Sequence, residues 1–484
     1  MNTLKRTLAL VATLAMSATA LASCGSSDSS DDAKTTTKAA TDGTQADTQA
    51  DTQADTQAAT DAPASKGNSL DLGEVKLATG GDKFTVVAWD SNDGPALLKL
   101  WEKYGGDASK ENFHSMDCPG GEAAGNLDNL FLAGGDIDVY FCEADWALKF
   151  INDDTRAAAL EEVGFSEDNF TDTFAYTNEI GRATKGKYAG KMVGASWQSC
   201  PGGFAYNAEL AKQYLDVDTP EQMQEKVGDW DKFVAAATEV ATKSNKSVAL
   251  ADSLGGMWQV FAANRKSAWV DDGILEIDES CKTFADYAKT LWDNGGVTHN
   301  SQWDNSWVPA GASGACMGYF ASTWGLGGFV KDASANSQGK WKLIQGPDPY
   351  FWGGTWMVVN PKTDNAKEAQ ELIYTAVVNP ESMKDYSKSK PEYVNSVSVM
   401  NDVVSSGDVN EEVKANFGGE NYFEPLHANA QKIDLKGLIT PYDASIKAAF
   451  LDVVTKNYCT NGEDWEACKD AFNKKVNKDN PTLD

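Results

Sequence analysis

The sequence predicts an α/β protein whose folded part is divided into two lobes. Residues 70–484 are too many for one hydrophobic core, because cores usually stop growing at about 250–300 residues. The β-branched and aromatic runs at 84–89 and 137–142, each bounded by Gly or Asp, predict two strands. Two stretches of helical periodicity lie between them. This strand, helix, helix, strand order favours a parallel sheet.

The helices are predicted from apolar spacing and from their start signals. Thr219-Pro220-Glu221-Gln222 contains an N-cap, a first-turn proline and an N3 glutamine in the order of a capping box. After Asp229, apolar residues recur every three or four positions and form one stripe. Helices are therefore predicted at 95–104, at 122–132, from 219 onward, at 230–241, at 367–378, at 443–456 and at 464–476.

The N-terminus has the pattern of a secretory signal. Lys5 and Arg6 precede an apolar run at 7–20, which small residues then end. A membrane-spanning helix needs about 20 apolar residues, so this run is too short for a transmembrane anchor. We predict that residues 1–23 are a signal peptide.

The end of that segment, Leu21-Ala22-Ser23-Cys24, resembles the lipobox of bacterial lipoproteins. The resemblance implies that the Cys24 thiol receives a diacylglyceryl group and that cleavage makes it the first residue. Two acyl chains anchor a protein stably, whereas one chain binds only marginally. We expect attachment to the extracellular face of the bacterial cell membrane through this lipid alone.

The composition of residues 24–70 predicts a disordered linker. They are rich in Thr, Gln, Ala and Asp, with Thr-Gln-Ala-Asp repeated, and contain too few apolar residues to fold. As a flexible coil this linker reaches roughly 35–40 Å. It would let a folded body move over the membrane, and a spacer that only clears the cell wall is the alternative.

Charge and cysteine content exclude several classes of partner. The net charge of −29 argues against nucleic acid and against attraction to anionic lipid. The cysteines after Cys24 have no Cys-x-x-Cys spacing, so we expect no metal, and we expect no cofactor. Cys459 and Cys468 flank a turn and are predicted either to form a disulfide or to be buried free thiols.

Tryptophan placement predicts the site. The chain has 15 Trp, many beside Gly, Asn or Asp rather than in an apolar period. A sugar ring needs flat aromatic platforms for its C–H face and polar side chains for its hydroxyls. Polar candidates follow the two predicted strands, where ligands collect in parallel sheets. The predicted ligand-binding residues are Trp89, Asp90, Asn92, Glu143, Asp145, Trp146, Trp197, Trp258, Trp303, Trp307, Trp324, Trp352, Trp356 and Asp443. At helical spacing, Trp101, Trp230, Trp292 and Trp465 are instead predicted to be core.

Several segments in order resemble one family. Residues 187–194, Lys-Tyr-Ala-Gly-Lys-Met-Val-Gly, followed by Gly203-Phe204-Ala205-Tyr206-Asn207, resemble a lobe crossing of the extracellular sugar-binding proteins of ABC importers (solute-binding protein family 1), which include the maltodextrin-binding proteins. Further similar segments are 219–237, 311–325, 350–361 and 442–458.

The resemblance implies a two-lobed, periplasmic-binding-protein-like (type II) fold with a hinge and an interlobe cleft. It also implies that Trp324 stacks on a sugar ring and that Asp145 binds hydroxyls. The chain would cross between the lobes three times. Lobe 1 is therefore expected at 71–195 and 347–395, and lobe 2 at 196–346 and 396–484.

Two motifs imitate other sites. Residues 314–318, Gly-Ala-Cys-Met-Gly, imitate a nucleophile elbow, but a buried strand is the better interpretation. Residues 90–94 imitate a calcium loop, but the glycine and the final acid are misplaced, so we predict a turn.

The sequence therefore predicts a monomeric, lipid-anchored binding protein without catalytic residues. It would capture an oligosaccharide and deliver it to the permease subunits of an ABC importer. A lipid-anchored glycoside hydrolase remains an alternative, because an acidic chain always supplies pairs of carboxylates. A binding protein for a peptide or a polyamine is another.

Overall fold

A computed structural model describes residues 72–118, 120–435, 437–481 and 483. The predicted signal peptide, Cys24 and the linker lie outside the described residues. Within the part that is described, no helix is both long and apolar enough to span a membrane.

Among the described residues, strands and helices are mixed along the chain up to β11, and helices alone follow it. The strands are β1 Phe84–Ala88, β2 Glu111–Ser115, β3 Val139–Glu143, β4 Gly194–Ser196, β5 Gly202–Asn207, β6 Ala249–Ala251, β7 Val270–Asp271, β8 Ile274–Leu275, β9 Cys316–Ser322, β10 Trp341–Ile344 and β11 Thr355–Val359. The α-helices are α1 Asp93–Lys103, α2 Gly120–Leu132, α3 Ala144–Ile151, α4 Ala175–Gly181, α5 Ala208–Leu215, α6 Pro220–Val227, α7 Trp230–Lys243, α8 Leu254–Ala263, α9 Glu279–Asn294, α10 Trp307–Ala312, α11 Thr323–Leu326, α12 Phe329–Ala333, α13 Ala366–Ile373, α14 Pro380–Ser389, α15 Val397–Ser406, α16 Glu411–Asn416, α17 Phe423–Ala430, α18 Asp443–Val453 and α19 Trp465–Asp479. Short 3-10 helices cover Ala108–Lys110, Leu160–Val163 and Glu167–Phe170, and π-helices continue α13 over Tyr374–Val378 and α18 over Val454–Thr460.

The first sheet has five strands in the order β2-β1-β3-β11-β4. β1 is parallel to both β2 and β3, while β11 is antiparallel to β3 and β4. The predicted parallel sheet is confirmed for these first three strands. Strand β2 was not predicted, because its alternation of half-buried and exposed residues includes Asn, His and Ser.

The second sheet has four strands in the order β10-β5-β9-β6. β5 is antiparallel to its neighbours β10 and β9, and β6 is parallel to β9. The Gly-Ala-Cys-Met-Gly segment leads into β9, all seven residues of which are buried, so the predicted buried strand is confirmed.

Local capping signals give the observed helix starts. The Thr219 hydroxyl accepts from Gln222 N (3.3 Å) at the start of α6, and the Asp229 carboxylate accepts from Lys232 N (2.8 Å) at the start of α7. Removing such a cap typically costs about 1 kcal/mol. The Gln222 side chain, however, accepts from Asp218 N rather than from the N-cap residue.

Three extended segments pair with one another, and two of them connect the two sheets. Residues 197–202 lead from β4 to β5, residues 350–352 lie between β10 and β11, and residues 392–395 lie between α14 and α15. They lie side by side through backbone bridges, and we call them the hinge ribbon. The lobe boundaries given above stay a prediction.

Backbone hydrogen bonds join the hinge ribbon on both sides of its central segment. Ser199 N donates to Tyr393 O (3.1 Å), and Trp352 N donates to Cys200 O (3.2 Å). Cys200 is buried and has a φ of 45°, a left-handed conformation that is uncommon outside glycine. The ribbon is therefore a small, fully bonded structure rather than three loose linkers.

The two cysteines that the sequence allowed to pair are both buried free thiols in the structure, Cys459 and Cys468. Burial raises the pKa of the Cys459 thiol to about 12 and that of the Cys468 thiol to about 11. Both therefore stay protonated at neutral pH and pack as small apolar side chains.

Substitution of Asn395 tests how much the hinge ribbon contributes to stability. Its side chain is buried, donates to Ser196 O (2.9 Å) and accepts from Phe174 N (3.0 Å). We expect Asn395→Ala to lower the free energy of unfolding by about 2–4 kcal/mol, because it leaves a buried carbonyl and a buried N–H unpaired. Urea unfolding measures this, with the exposed Asn92→Ala as control. A loss within about 0.5 kcal/mol, as for an ordinary surface change, would contradict it.

Candidate functional site

Five aromatic rings meet beside the hinge ribbon. Trp303 lies in the loop before α10, Trp307 begins α10, Trp324 lies in α11, Phe329 begins α12 and Trp352 belongs to the ribbon itself. We call this cluster the aromatic shelf.

The shelf has a buried base and an accessible face. The Trp303 ring lies 4.8 Å from Trp307, 6.0 Å from Trp324 and 6.3 Å from Trp352, measured between centroids. Trp307 and Phe329 are buried, Trp324 and Trp352 are half-buried, and Trp303 is 60% exposed. Flat apolar surface is thus offered to a molecule from solvent.

Trp303 is held in an unfavourable backbone conformation. Its φ is 73°, a left-handed value that costs a side-chain-bearing residue about 1–3 kcal/mol. Exposing most of a large indole ring is unfavourable as well. Both costs point to a ring that is positioned for contact rather than for packing.

Trp324 is fixed by the hinge ribbon. Its Nε1 donates to Trp352 O (3.1 Å), and the two rings meet edge to face at 4.9 Å. Gly353 permits this approach, because a Cβ there would lie 3.0 Å from the Trp324 Nε1 and the φ of 80° suits glycine.

Trp307 is fixed from below by a buried carboxylate. Its Nε1 donates to Asp252 Oδ2 (2.7 Å), and Asp252 also accepts from Phe320 N (3.2 Å). Burial raises the pKa of Asp252 to about 6, so the carboxylate is still mainly ionised at neutral pH. The base of the shelf is therefore rigid.

One ion pair joins α3 to α18. Asp145 lies on α3, which follows β3 of the first sheet, and Lys447 lies on α18, which packs against α8, a helix that contacts β6 and β9 of the second sheet. Lys447 Nζ donates to Asp145 Oδ1 at 2.6 Å. Burial alone would lower the pKa of Lys447, but Asp145 and Asp443 outweigh it and raise that pKa above its usual value.

Further charges surround this pair. Arg265 and Asp443 form a fully buried ion pair at 3.3 Å. Glu143 accepts from Asp145 N (2.9 Å) at the start of α3. Burial, with a smaller contribution from Asp145, raises the pKa of Glu143 to about 8, so this carboxyl is mainly protonated at neutral pH.

A small cavity joins the ion pair to the shelf. It measures about 20 Å³ and is lined in part by Asp145, Gln259, Trp352, Gly353 and Lys447. A space of about 10–15 Å³ or more holds one water molecule. A larger ligand therefore has to separate α3 from α18 before it can reach both the pair and the shelf.

The structure brings together a subset of the residues predicted from sequence. Trp303, Trp307, Trp324 and Trp352 form the shelf, and Asp145 lies at the same cavity as Trp352. Asp443 also lines this cavity but is committed to Arg265.

The structure places four other predicted rings in the core, Trp146, Trp197, Trp258 and Trp356. Trp258 packs on Phe450 at 4.6 Å. Trp356 lies on β11 of the first sheet, is fully buried, packs edge to face on Phe351 at 6.2 Å and donates from its Nε1 to Thr177 O (3.1 Å). Because other side chains occupy their faces, these rings are not available as platforms. Of the rings predicted to be core, Trp101 and Trp230 are buried and Trp292 and Trp465 are half-buried.

Trp89, Asp90 and Asn92 form the turn that begins α1, as predicted for this segment. Asp90 Oδ1 accepts from Asn92 N (2.6 Å) and Asp93 N (3.1 Å). Its role in the structure is to satisfy the start of the helix. Trp89 is half-buried and Asn92 is exposed.

Sequence reasoning missed Lys447 and Phe329. Phe329 follows Gly328 but is not a tryptophan, and only tryptophans were predicted as platforms. Lys447 is a cation, and only carboxylates and one carboxamide were predicted as polar ligand contacts. The spacing of Asp443 and Lys447 puts both on one face of α18, but only the tertiary placement of that helix turns this face towards Asp145.

A larger groove of about 820 Å³ lies on the second lobe between α6, β10 and α17. Its aromatic members, Phe417 and Tyr422, are buried. It lacks the exposed flat surface that distinguishes the shelf, so the shelf and the neighbouring ion pair are the stronger candidate site.

The family comparison gives one match. The model for bacterial extracellular solute-binding proteins matches residues 125–416, which is more than half of the chain. A search of curated proteins found no significant match.

Solved structures share the fold. An extracellular solute-binding protein of family 1 superposes with a TM-score of 0.69 at 17% identity, covering 82% of this chain and 99% of that one. The galacto-N-biose/lacto-N-biose I-binding protein of the ABC transporter of Bifidobacterium longum superposes with a TM-score of 0.63 at 17% identity, covering 83% of this chain and 98% of that one. A binding protein of B. animalis subsp. lactis in complex with β-1,6-galactobiose gives 0.63 at 19%, with the same coverage. The expected two-lobed fold is confirmed.

A double-mutant cycle tests the ion pair between the lobes. We expect Lys447→Met and Asp145→Asn to be coupled by about 1–3 kcal/mol in the free energy of unfolding, because the two side chains are largely shielded from water. The exposed pair Lys331 and Glu412 is the control, and there Lys331→Met with Glu412→Gln should couple by less than about 1 kcal/mol. Equal coupling in both cycles would contradict a special role for the Asp145–Lys447 pair.

Proposed function

The chain belongs to the bacterial extracellular solute-binding proteins, and on that premise we propose that it captures an oligosaccharide between its lobes and delivers it to the permease of an ABC importer. The observation that carries this proposal is the aromatic shelf beside the Asp145–Lys447 pair. No catalytic step is part of the proposed function.

The chemistry of the shelf fits a sugar. One face of a sugar ring carries C–H groups and packs on an indole, and such contacts contribute about 0.5–1.5 kcal/mol beyond burial. The ring edge carries hydroxyls, which both donate and accept. Asp145 supplies acceptor oxygens and Lys447 supplies donor N–H groups at the same cavity. A ligand that is apolar on one face and hydroxylated at its edge satisfies both.

Binding by closure also fits this arrangement. A ligand favours the closed state only through contacts that the open state lacks, so it has to touch both lobes. The shelf provides contacts from the second lobe and from the hinge ribbon, and Asp145 provides a contact from the first lobe. The small cavity between them means that the lobes separate before the ligand enters.

The named solved structures support a carbohydrate over a peptide or a polyamine. One is described as a galacto-N-biose/lacto-N-biose I-binding protein and another as a complex with β-1,6-galactobiose. Their shared fold with this chain is the basis on which we extend that ligand class to it.

Localisation is part of the proposal. We infer that the signal peptide at 1–23 is removed, that Cys24 carries the lipid and that residues 24–70 tether a monomeric body to the outer face of the cell membrane. A binding protein held within about 35–40 Å of the membrane stays close to an importer.

A glycan panel and one substitution test the ligand class. A ligand at 100 times its dissociation constant stabilises the folded protein by about 2.7 kcal/mol, which a thermal-shift screen detects. For the sugar so identified, we expect Trp324→Ala to weaken binding about 10- to 100-fold in calorimetry, since it removes a stacking face. Trp292→Ala, which removes another half-buried ring of the second lobe, should leave affinity unchanged. Equal effects of the two variants, or hits only among peptides or polyamines added to the panel, would rule out the proposal.

Cys24→Ala tests the anchor. We expect this variant to bind the same sugar with unchanged affinity but to leave the membrane fraction and to support little uptake, because it lacks the acyl chains. Fractionation and sugar-uptake assays measure both effects. Retention in the membrane fraction would contradict lipid attachment at this residue, and normal uptake by the released variant would show that transport does not need the tether.

A further inference from the structure

A buried carboxylate in the hinge ribbon holds the helix that carries Trp324. Glu392 is only 6% exposed. Its Oε1 accepts from Thr323 Oγ1 (2.7 Å) and from Tyr393 N (3.1 Å), and its Oε2 accepts from Gln198 Nε2 (2.9 Å). One side chain thus joins two segments of the hinge ribbon to the start of α11.

This connection bears directly on the shelf. Thr323 is itself fully buried and precedes Trp324 in α11, a helix of a single turn. The Trp324 indole is bonded to Trp352 O at its other end. The ribbon therefore holds Trp324 from two sides, through the bond of Glu392 to the hydroxyl of the preceding residue Thr323 and through the bond of Trp352 O to the Trp324 Nε1.

We propose that Glu392 is a positioning residue that orients Trp324 through Thr323. The position of Trp324 in the shelf then changes when this carboxylate gains or loses its charge. This inference rests on the proposed function for its meaning in ligand binding.

Burial places the pKa of Glu392 near neutral pH, and several titratable or charged groups lie around it. Asp93 faces it from α1, Tyr386 from α14, Cys200 from the hinge ribbon and Tyr422 from the start of α17, and Lys390 is a nearby cation. Burial raises the pKa of Glu392 to about 7. Burial, then Asp90 and Glu392, raise the pKa of Asp93 to about 8.

Protonation weakens the hold on Thr323. The three partners of Glu392 all donate hydrogen bonds, so the ionised carboxylate satisfies every one. A protonated carboxyl either loses the bond from Gln198, when its hydrogen is on Oε2, or reverses the bond to Thr323, when its hydrogen is on Oε1. In both cases the bond to Thr323 is no longer one to a charged carboxylate, and it is weaker for that reason. The hold on α11 therefore strengthens as pH rises through about 7.

Fold stability changes in the opposite sense. The pKa of Glu392 is raised from 4.5 to about 7, so its contribution to stability is fully present below 4.5 and is lost as pH rises through about 7. A tighter shelf at higher pH is thus accompanied by a lower free energy of unfolding. Substitution of a residue with a merely structural role would change only the pH dependence of the free energy of unfolding and not that of the shelf.

Fluorine NMR of the ligand-free protein labelled with 5-fluorotryptophan tests the proposal. The Trp324 resonance is assigned with Trp324→Phe and followed across neutral pH. We expect it to titrate with a midpoint near about 7 in the unmodified protein and to become pH-independent in Glu392→Gln. Glu368→Gln is the matched control, because Glu368 is also buried but is bonded to Lys110 away from the hinge ribbon, and it should leave the titration intact.

A Trp324 resonance that does not respond to pH would overturn the proposal, and so would a titration that survives Glu392→Gln, which would belong to Asp93 or another neighbour. If Glu392→Gln does not fold, Glu392→Asp replaces it, and a shifted midpoint supports the proposal whereas an unchanged one overturns it. Because no sugar is present, a failed glycan panel with an intact titration would reject the proposed ligand while leaving the role of Glu392 standing.

Discussion

The backbone pairing of the hinge ribbon is the constraint on which the rest of the structure depends. Its three extended segments lie side by side, and their buried peptide groups need partners. The central segment at 197–202 supplies those partners on both of its sides, which fixes the three segments relative to one another. Trp352 of the shelf and Glu392 belong to this ribbon. The shelf is therefore connected to the ribbon through Trp352, and the buried left-handed Cys200 marks where the backbone of the central segment accepts strain.

Two kinds of surface face each other across the cleft. On one side is flat aromatic surface with a buried base, and on the other is a charged pair that already satisfies itself across the lobes at 2.6 Å. A ligand therefore has to offer enough contact with rings and with polar atoms to repay the opening of that pair. Desolvated ion pairs often cost nearly as much as they return, so the Asp145–Lys447 contact need not hold the lobes shut strongly to set a threshold for binding. Such a threshold favours a ligand that satisfies several groups at once over one that makes a single contact.

Local chemistry made part of this molecule predictable. Thr219 caps a helix as expected, the helix predicted after Asp229 is present, and the strands predicted at 84 and 137 are in place. Burial of individual rings was not predictable, since Trp258 and Trp324 both lie within two residues of a glycine and only the packing of Phe450 against the first makes it core. Lys447 and Glu392 were not predicted from the sequence for the same reason. Each gains its role from a partner more than 60 residues away in sequence, which periodicity and spacing do not reveal.

A crystal structure with the sugar that the glycan panel identifies tests ligand binding at the shelf most directly. We expect a sugar ring packed on the exposed face formed by Trp303, Trp324 and Trp352, with a hydroxyl bonded to Asp145 and the lobes closed around it. Density for the sugar in the groove between α6, β10 and α17, or contacts with one lobe alone, would contradict the shelf as the site of capture.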